Sequence, residues 1–214
     1  MKVLVTGFDP FGGETVNPAL EAVKRLDGIE IAGAKVVTRE IPTVRVKSIA
    51  ALKRAIEDVQ PEIVIAVGQA GGRMEITPER IAINVDDFRI PDNEGNQVID
   101  EAIVPENPAA YWSTLPIKKI VAELRQEGIP ASVSNSAGTF VCNHIFYGLM
   151  HHLQQEGSIR RGGFIHIPYL PQQAAKLSGQ PSMALDIIVR GLKKAIEATI
   201  MAKTDERHSG GTIC

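Results

Sequence analysis

Ile63-Val64-Ile65-Ala66-Val67 is an unbroken apolar run bounded by Pro61 before it and Gly68 after it. A strand with one wetted face alternates polar and apolar residues, whereas a strand covered on both faces does not. The run therefore reads as a central strand of a parallel sheet. Upstream, Val46, Ile49, Ala50, Ala55, Ile56 and Val59 recur at helical spacing and stop before Pro61. Ala34 to Ile41 reads as the preceding strand. Asn17-Pro18 has the cap-then-proline order of a helix start, followed by the stripe Ala19, Ala22, Val23 and Leu26. The chain opens with a β-branched strand, Lys2 to Thr6, ended by Gly7. Downstream the pattern predicts a helix over Ile117 to Gln126 closed by Gly128, a strand from Ala131 to Ser134 and a helix from Cys142 to Leu153. A strand from Gly163 to Ile167 and a last helix from Met183 to Ile200 complete it. Strand and helix alternate, so the expected fold is a three-layer α/β/α domain on a mainly parallel twisted sheet, phosphorylase- or hydrolase-like.

Residues 71–116 break this rhythm, with Pro78, Pro91, Asn93, Gly95, Pro105 and Pro108 among them. Insertions of this length in compact domains are usually functional, and this one is expected to begin with a strand or hairpin around Arg80 to Val85 and to wall a site. One domain over 1–203 is expected, with the polar, glycine-rich residues 204–214 as a flexible tail.

The whole chain of 214 residues carries a formal net charge of -2, which gives no electrostatic footprint for nucleic acid or an anionic membrane. No stretch approaches the roughly 20 apolar residues that span a bilayer, and Met1 to Val5 does not read as a signal peptide. The two cysteines, Cys142 and Cys214, do not make a disulfide framework. A cytoplasmic, reducing location with Cys142 as a free thiol is expected.

Cys142 follows the small-residue segment Ser134 to Val141 and opens a predicted helix. A thiol there feels the positive end of the helix dipole and lies beside unpaired N–H groups able to hold a thiolate or an oxyanion. It reads as a nucleophile or, alternatively, as a small hydrophobe packed between Val141 and Ile145. Of the five histidines, His166 is the useful base: it ends the apolar strand Phe164-Ile165-His166-Ile167, and strand ends in open α/β sheets are where sites gather. A core histidine bonded to a backbone carbonyl is the other reading. His144, His151 and His152 share the Cys142 helix without zinc-ligand spacing, and His208 lies in the tail. Spacing leaves the group that orients the imidazole open among Glu79, Asp86, Asp87, Asp92, Glu94 and Asn135. The loops Gly7-Phe8-Asp9-Pro10-Phe11-Gly12-Gly13 and Gly68-Gln69-Ala70-Gly71-Gly72 match no nucleotide fingerprint. Both follow predicted strands, so Phe8 and Phe11 can wall an apolar pocket.

Those two loops, extended by Arg73, together with Pro78-Glu79-Arg80-Ile81-Ala82-Ile83-Asn84, Arg89-Ile90-Pro91-Asp92-Asn93-Glu94-Gly95, Ser136 to His144 and Gly163 to Tyr169, resemble the pyrrolidone-carboxylate peptidases, or pyroglutamyl peptidase I family. The resemblance runs from residue 1 to about 170. It implies a cysteine exopeptidase that hydrolyses the amide bond after an N-terminal pyroglutamyl residue through a thioester, with Cys142, His166 and Glu79 as the catalytic triad. It further implies that Phe8, Phe11, Thr43, Ile90, Phe140 and Val141 enclose the lactam, that Gln69 lies beside it and that Arg89 lies near the oxyanion. A cytosolic homotetramer without metal or cofactor is implied as well. A nucleoside phosphorylase on a similar scaffold, or a binder without turnover, are the competing readings. Cys214 is given no catalytic part, although its thiol can cross-link subunits.

Overall fold

The structure is a computed structural model that describes residues 1–157 and 159–211; Cys214 lies outside them. Its first strand, β1 (Lys2–Phe8), runs two residues beyond the expected Thr6. Gly7 does not break it. A Cβ at Gly7 would lie 2.9 Å from the backbone of Ala19 and Leu20, so this glycine serves a close approach of helix to strand. The helix is α1 (Pro18–Lys24), capped as expected by Asn17, whose side chain accepts from the Ala19 N–H. A short β2 (Glu30–Ile31) precedes β3 (Ala34–Ile41), which matches its expected bounds. Next come α2 (Arg45–Val59) and β4 (Ile63–Gln69). In α2 the buried residues include Leu52, Ala55, Ile56 and Val59, while Val46, placed on the apolar stripe by spacing, is exposed.

The insertion contains β5 (Thr77–Pro78), β6 (Ile81–Ile83) and β7 (Ala110–Trp112), and β6 and β7 form their own two-stranded antiparallel sheet. Then follow α3 (Ile117–Gln126), α4 (Val141–Gln155), β8 (Arg161–Ile167), the short α5 (Pro171–Ala174) and α6 (Leu185–Met201). The expected strand from Ala131 to Ser134 is not continuous. Ile76 N–H donates to Pro130 O and Ser132 N–H to Ile76 O, but the next donor in that ladder is Pro78, which has no N–H. Only isolated bridges at Ala131 and Ser134 remain.

The main sheet has six strands in the order β2-β3-β1-β4-β8-β5, with β3, β1, β4 and β8 parallel and the two short edges antiparallel. Side-chain alternation sends Val3, Val5, Ile63, Ile65, Val67 and Ile165 to the face covered by α1, α3 and α6. Leu4, Val64, Ala66 and Phe164 go to the face under α2 and α4. Period-2 strands inside a helical sandwich thus produce the three layers the sequence implies.

The segment from Thr204, read as a fraying tail, is held along the body as far as Gly211. The Asp205 carboxylate accepts from the Lys118 and Lys119 N–H groups at 3.0 to 3.2 Å, at the positive end of α3. Lys118 Nζ donates to His208 O, and Arg80 donates to Gly210 O. Composition reported the polarity of this segment, not its partners.

Replacing Gly7 by alanine is expected to cost about 1–3 kcal/mol, because a new methyl would meet backbone that cannot rotate away. Urea unfolding of the Gly7→Ala protein measures it.

Candidate active site

Cys142 is the second residue of α4. Phe140 caps this helix without a side-chain acceptor, so the first-turn N–H groups are left to whatever oxygen arrives. The sulfur lies against β4 at Gly68. A Cβ there would sit 3.0 Å from Cys142 Sγ and 2.6 Å from the Phe164 ring. Gly68 is also the register partner of His166 on β8, and alternation turns His166 to the same face as Phe164, whose ring is 4.8 Å from the imidazole. One glycine thus has the thiol above it and the histidine beside it.

Glu79 immediately follows β5, which pairs with β8 at His166 and Ile165, and its N–H donates to Phe164 O at 2.9 Å. This pairing carries the side chain under the imidazole, where Glu79 Oε1 lies 2.7 Å from His166 Nδ1. Both residues are buried. The other carboxylates are engaged elsewhere: Asp86 with His144 and Arg45, Asp92 with the N-terminus of α2 through Arg45 N–H, and Glu94 with Lys47. Asp87 meets Thr139 through its backbone, and Asn135 meets Arg80.

Arg73, quoted above only as part of a motif, donates from Nη1 to Glu79 Oε1 at 2.7 Å and to Thr77 Oγ1 at 2.6 Å. Its Nη2 donates to Ser136 O at 3.1 Å. Burial pushes the Glu79 carboxyl up, but the His166 hydrogen bond and charge, with the charge of Arg73, outweigh it and hold the group below the usual carboxylate range. The Ser134 hydroxyl also lies close enough to lower it. That hydroxyl nevertheless donates to Ser136 O at 3.1 Å, and Glu79 Oε2 has no hydrogen bond; the geometry makes Ser134 a neighbour and not a donor.

At Cys142 burial and the helix dipole act in opposite directions. Burial pushes the thiol up to about 12, Glu79 adds to the rise and Arg73 opposes it. The dipole of α4 acts in the opposite sense, on a residue that is only half-buried.

Of the residues the resemblance assigns to the lactam pocket, Phe8, Thr43 and Val141 are buried, and Phe11 and Phe140 are half-buried with rings 5.9 Å apart. Ile90 Cδ1 lies 3.9 Å from where a Gly12 Cβ would be. Gln69 Oε1 accepts from Gln173 Nε2 at 3.0 Å, which turns the Gln69 amide donors away from that partner. Arg89 is exposed in the cleft that Gln69, Phe11 and Ile90 also line. Two contributors escaped the sequence reading. Phe88 packs edge-on to Phe140 with centroids 4.8 Å apart. Buried Asn143 donates to Ile83 O and Val85 O and accepts from Ile83 N–H, tying the insertion to the first turn of α4. Its place beside Cys142 in a quoted motif was the available signal.

A thiol at a helix start, an imidazole on the adjoining strand and a carboxylate behind it, carried by a three-layer α/β domain, define a cysteine hydrolase. A family profile described as pyroglutamyl peptidase matches residues 1–202, and the chain belongs to that family. Pyrrolidone-carboxylate peptidase of Brevibacillus brevis is 62% identical over 211 residues, covering 99% of this chain and 98% of that one. Pyrrolidone-carboxylate peptidase 1 of Ralstonia nicotianae is 63% identical with the same coverage. The crystal structure of Bacillus amyloliquefaciens pyroglutamyl peptidase I superposes with a TM-score of 0.94 at 57% identity, over 96% of this chain and 99% of that one. A mutant pyrrolidone carboxyl peptidase of Pyrococcus furiosus superposes with a TM-score of 0.90 at 48% identity, over 94% and 98%. Among the described residues no group of three or more His, Cys, Asp or Glu side chains is arranged to hold a metal, and no helix is long and apolar enough to cross a membrane.

A thiol raised by burial has a readable consequence. Alkylation of Cys142 by iodoacetamide is expected to accelerate from pH 7 through pH 9 and beyond, because the reactive thiolate fraction keeps growing below a pKa of about 12. A plateau already reached below pH 8 would show a preformed thiolate instead.

Proposed function

We propose that Cys142, His166 and Glu79 carry the family's reaction in this chain: hydrolysis of the amide bond that follows an N-terminal pyroglutamyl residue. The observation that carries the assignment is the 2.7 Å contact between Glu79 Oε1 and His166 Nδ1 on the strand whose neighbour, Gly68, underlies Cys142 Sγ. With Nδ1 held by Glu79, Nε2 is the ring nitrogen left to exchange protons. It takes the thiol proton as sulfur attacks the pyroglutamyl carbonyl carbon. The resulting oxyanion is received by the open N–H groups of the first turn of α4. His166 then returns the proton to the departing amine and the C–N bond breaks, leaving a thioester on Cys142. Water attacks the thioester, His166 accepts its proton and gives it to the leaving sulfur, and free pyroglutamate departs.

Specificity follows from charge. An ordinary N-terminus presents an ammonium, which loses its hydration on entering a pocket walled by Phe8, Phe11, Ile90 and Phe140, whereas the lactam carries none. The donors of Gln69 are available to a lactam carbonyl. Arg89 stands at the mouth of the pocket, where its charge favours a developing oxyanion. The match over residues 1–202 to pyroglutamyl peptidases speaks against the phosphorylase reading.

The proposal extends to assembly and location. Trp112 and Met201, exposed to 63% and 71%, are apolar surfaces that subunit contacts would cover, in keeping with a homotetramer. The free thiol of Cys142 fits the reducing cytoplasm.

Cys142→Ala is expected to lose about 10³-fold or more in kcat/KM on a fluorogenic pyroglutamyl amide, and His166→Ala a comparable factor, with folding intact by circular dichroism. Wild type should cleave the pyroglutamyl amide and leave the glutamyl and prolyl amides untouched. Near-normal turnover by Cys142→Ala would refute the assignment. Sedimentation equilibrium should return the mass of four chains.

A further inference from the structure

The carboxylate that orients the imidazole works against the nucleophile. At Cys142 burial is the largest influence and raises the thiol; the negative charge of Glu79 adds to that rise, and Arg73 opposes it. At Glu79 burial again raises the carboxyl, His166 lowers it, and the charge of Arg73 lowers it further. Arg73 therefore favours the ionised form of both groups, although it touches only one of them.

The guanidinium is held in place for this. Nη1 donates to Thr77 Oγ1 at 2.6 Å and to Glu79 Oε1 at 2.7 Å, and Nη2 donates to Ser136 O at 3.1 Å. His166 Nδ1 lies 2.7 Å from the same Oε1, while Oε2 has no hydrogen bond. Both partners meet on one oxygen, so the place where Arg73 holds that oxygen decides where the imidazole points. Ser136 belongs to the segment that leads into α4, and the same fork thus ties β5 to the approach to the thiol. Nearby charges face elsewhere: Arg80 is turned to Asn135 and the Gly210 carbonyl, and Glu75 lines the cleft behind Arg73. That cleft, of about 440 Å³, is walled by Arg73, Thr77, Ser134 and Ser136 and gives the guanidinium, 29% exposed, a way to solvent.

We propose that Arg73 is a positioning residue of the reaction, the end of a row that runs sulfur, imidazole, carboxylate, guanidinium. Once the imidazole takes the thiol proton, the row alternates minus, plus, minus, plus. The carboxylate that steadies the imidazolium is then offset as seen from the sulfur. Charge is half of the role. The planar fork that reaches Thr77, Glu79 and Ser136 together is the other half, and lysine, a point charge on a flexible stem, does not supply it. The inference rests on the reaction assigned to Cys142 and adds a fourth residue to it.

Two rates separate charge from geometry: alkylation of Cys142 by iodoacetamide at fixed pH, and turnover of a pyroglutamyl amide. Both are measured in wild type, Arg73→Gln, Arg73→Lys and Arg73→Ala, with folding followed by circular dichroism. Losing the charge in Arg73→Gln raises the thiol further, so alkylation at pH 8 is expected to fall about threefold or more, because each unit of pKa is tenfold in thiolate below it. Arg73→Lys keeps the charge and loses the fork: alkylation is expected to stay within about twofold of wild type while kcat falls about tenfold. In Arg73→Ala, millimolar guanidinium ion is expected to enter through the cleft and speed alkylation, and sodium at equal ionic strength is not. Wild-type alkylation in folded Arg73→Gln would overturn the proposal. So would Arg73→Lys alkylated as slowly as a neutral variant, the result a purely structural arginine gives, or equal effects of the two ions on Arg73→Ala. A wild type that is alkylated but cleaves no pyroglutamyl amide removes the reaction instead, a failure the alkylation series keeps separate.

Discussion

The missing side chain at Gly68 is the constraint on which the rest of the site depends. Parallel pairing fixes Gly68 beside His166, and packing of α4 over the same face brings Cys142 Sγ to within 3.0 Å of the space a methyl group would fill. Any larger residue has to displace either the sulfur or the Phe164 ring, both set by the core. Sheet register and helix seat are therefore mutually dependent: β4 and β8 place the imidazole, and the glycine between them lets the helix descend far enough to place the thiol.

Burying a carboxylate beside this arrangement is costly, and the structure meets the cost with two partners on one oxygen. Glu79 Oε1 is 2.7 Å from both His166 and Arg73. Removing one partner of a buried pair of this kind typically costs about 3–5 kcal/mol, so the group that orients the histidine also anchors β5 at the sheet edge. A second buried pair stabilises the insertion in the same manner. His144 Nδ1 lies 2.8 Å from Asp86 Oδ2, and Arg45 joins Asp86 to Glu101 through contacts of 2.8 Å. With Asn143, this network fastens residues 83–101 to α2 and α4. The insertion thereby becomes a wall held from two helices, and Phe88 reaches Phe140 from it.

Much of this was legible in the sequence because local pattern encodes it. The apolar run Ile63 to Val67 specified a central parallel strand, Asn17-Pro18 a helix start, and Cys142 its place at the head of α4. Glycines were the weak point. Gly7 and Gly68 read as punctuation after strands, yet β1 and β4 both run through them, since a glycine that stops a strand and one that admits a neighbouring element look alike in one dimension. Arg73, Asn143 and Phe88 were passed over for a related reason: Arg73 reaches Ser136, 63 residues away, and Asn143 reaches Ile83, 60 residues away. No periodicity reports contacts of that span. Position on a helix reveals the dipole at the thiol, while its desolvation depends on what packs over the sulfur.

The central claim is that this thiol, seated over Gly68, is the atom that attacks the pyroglutamyl carbonyl. A chloromethyl ketone carrying the pyroglutamyl group, followed by peptide mapping with mass spectrometry, tests it most directly. One label per chain is expected, on Cys142, with inactivation in step with labelling and slowed by pyroglutamyl amide. Full inactivation with Cys142 unmodified, or a label at another residue that pyroglutamyl amide protects, would contradict it.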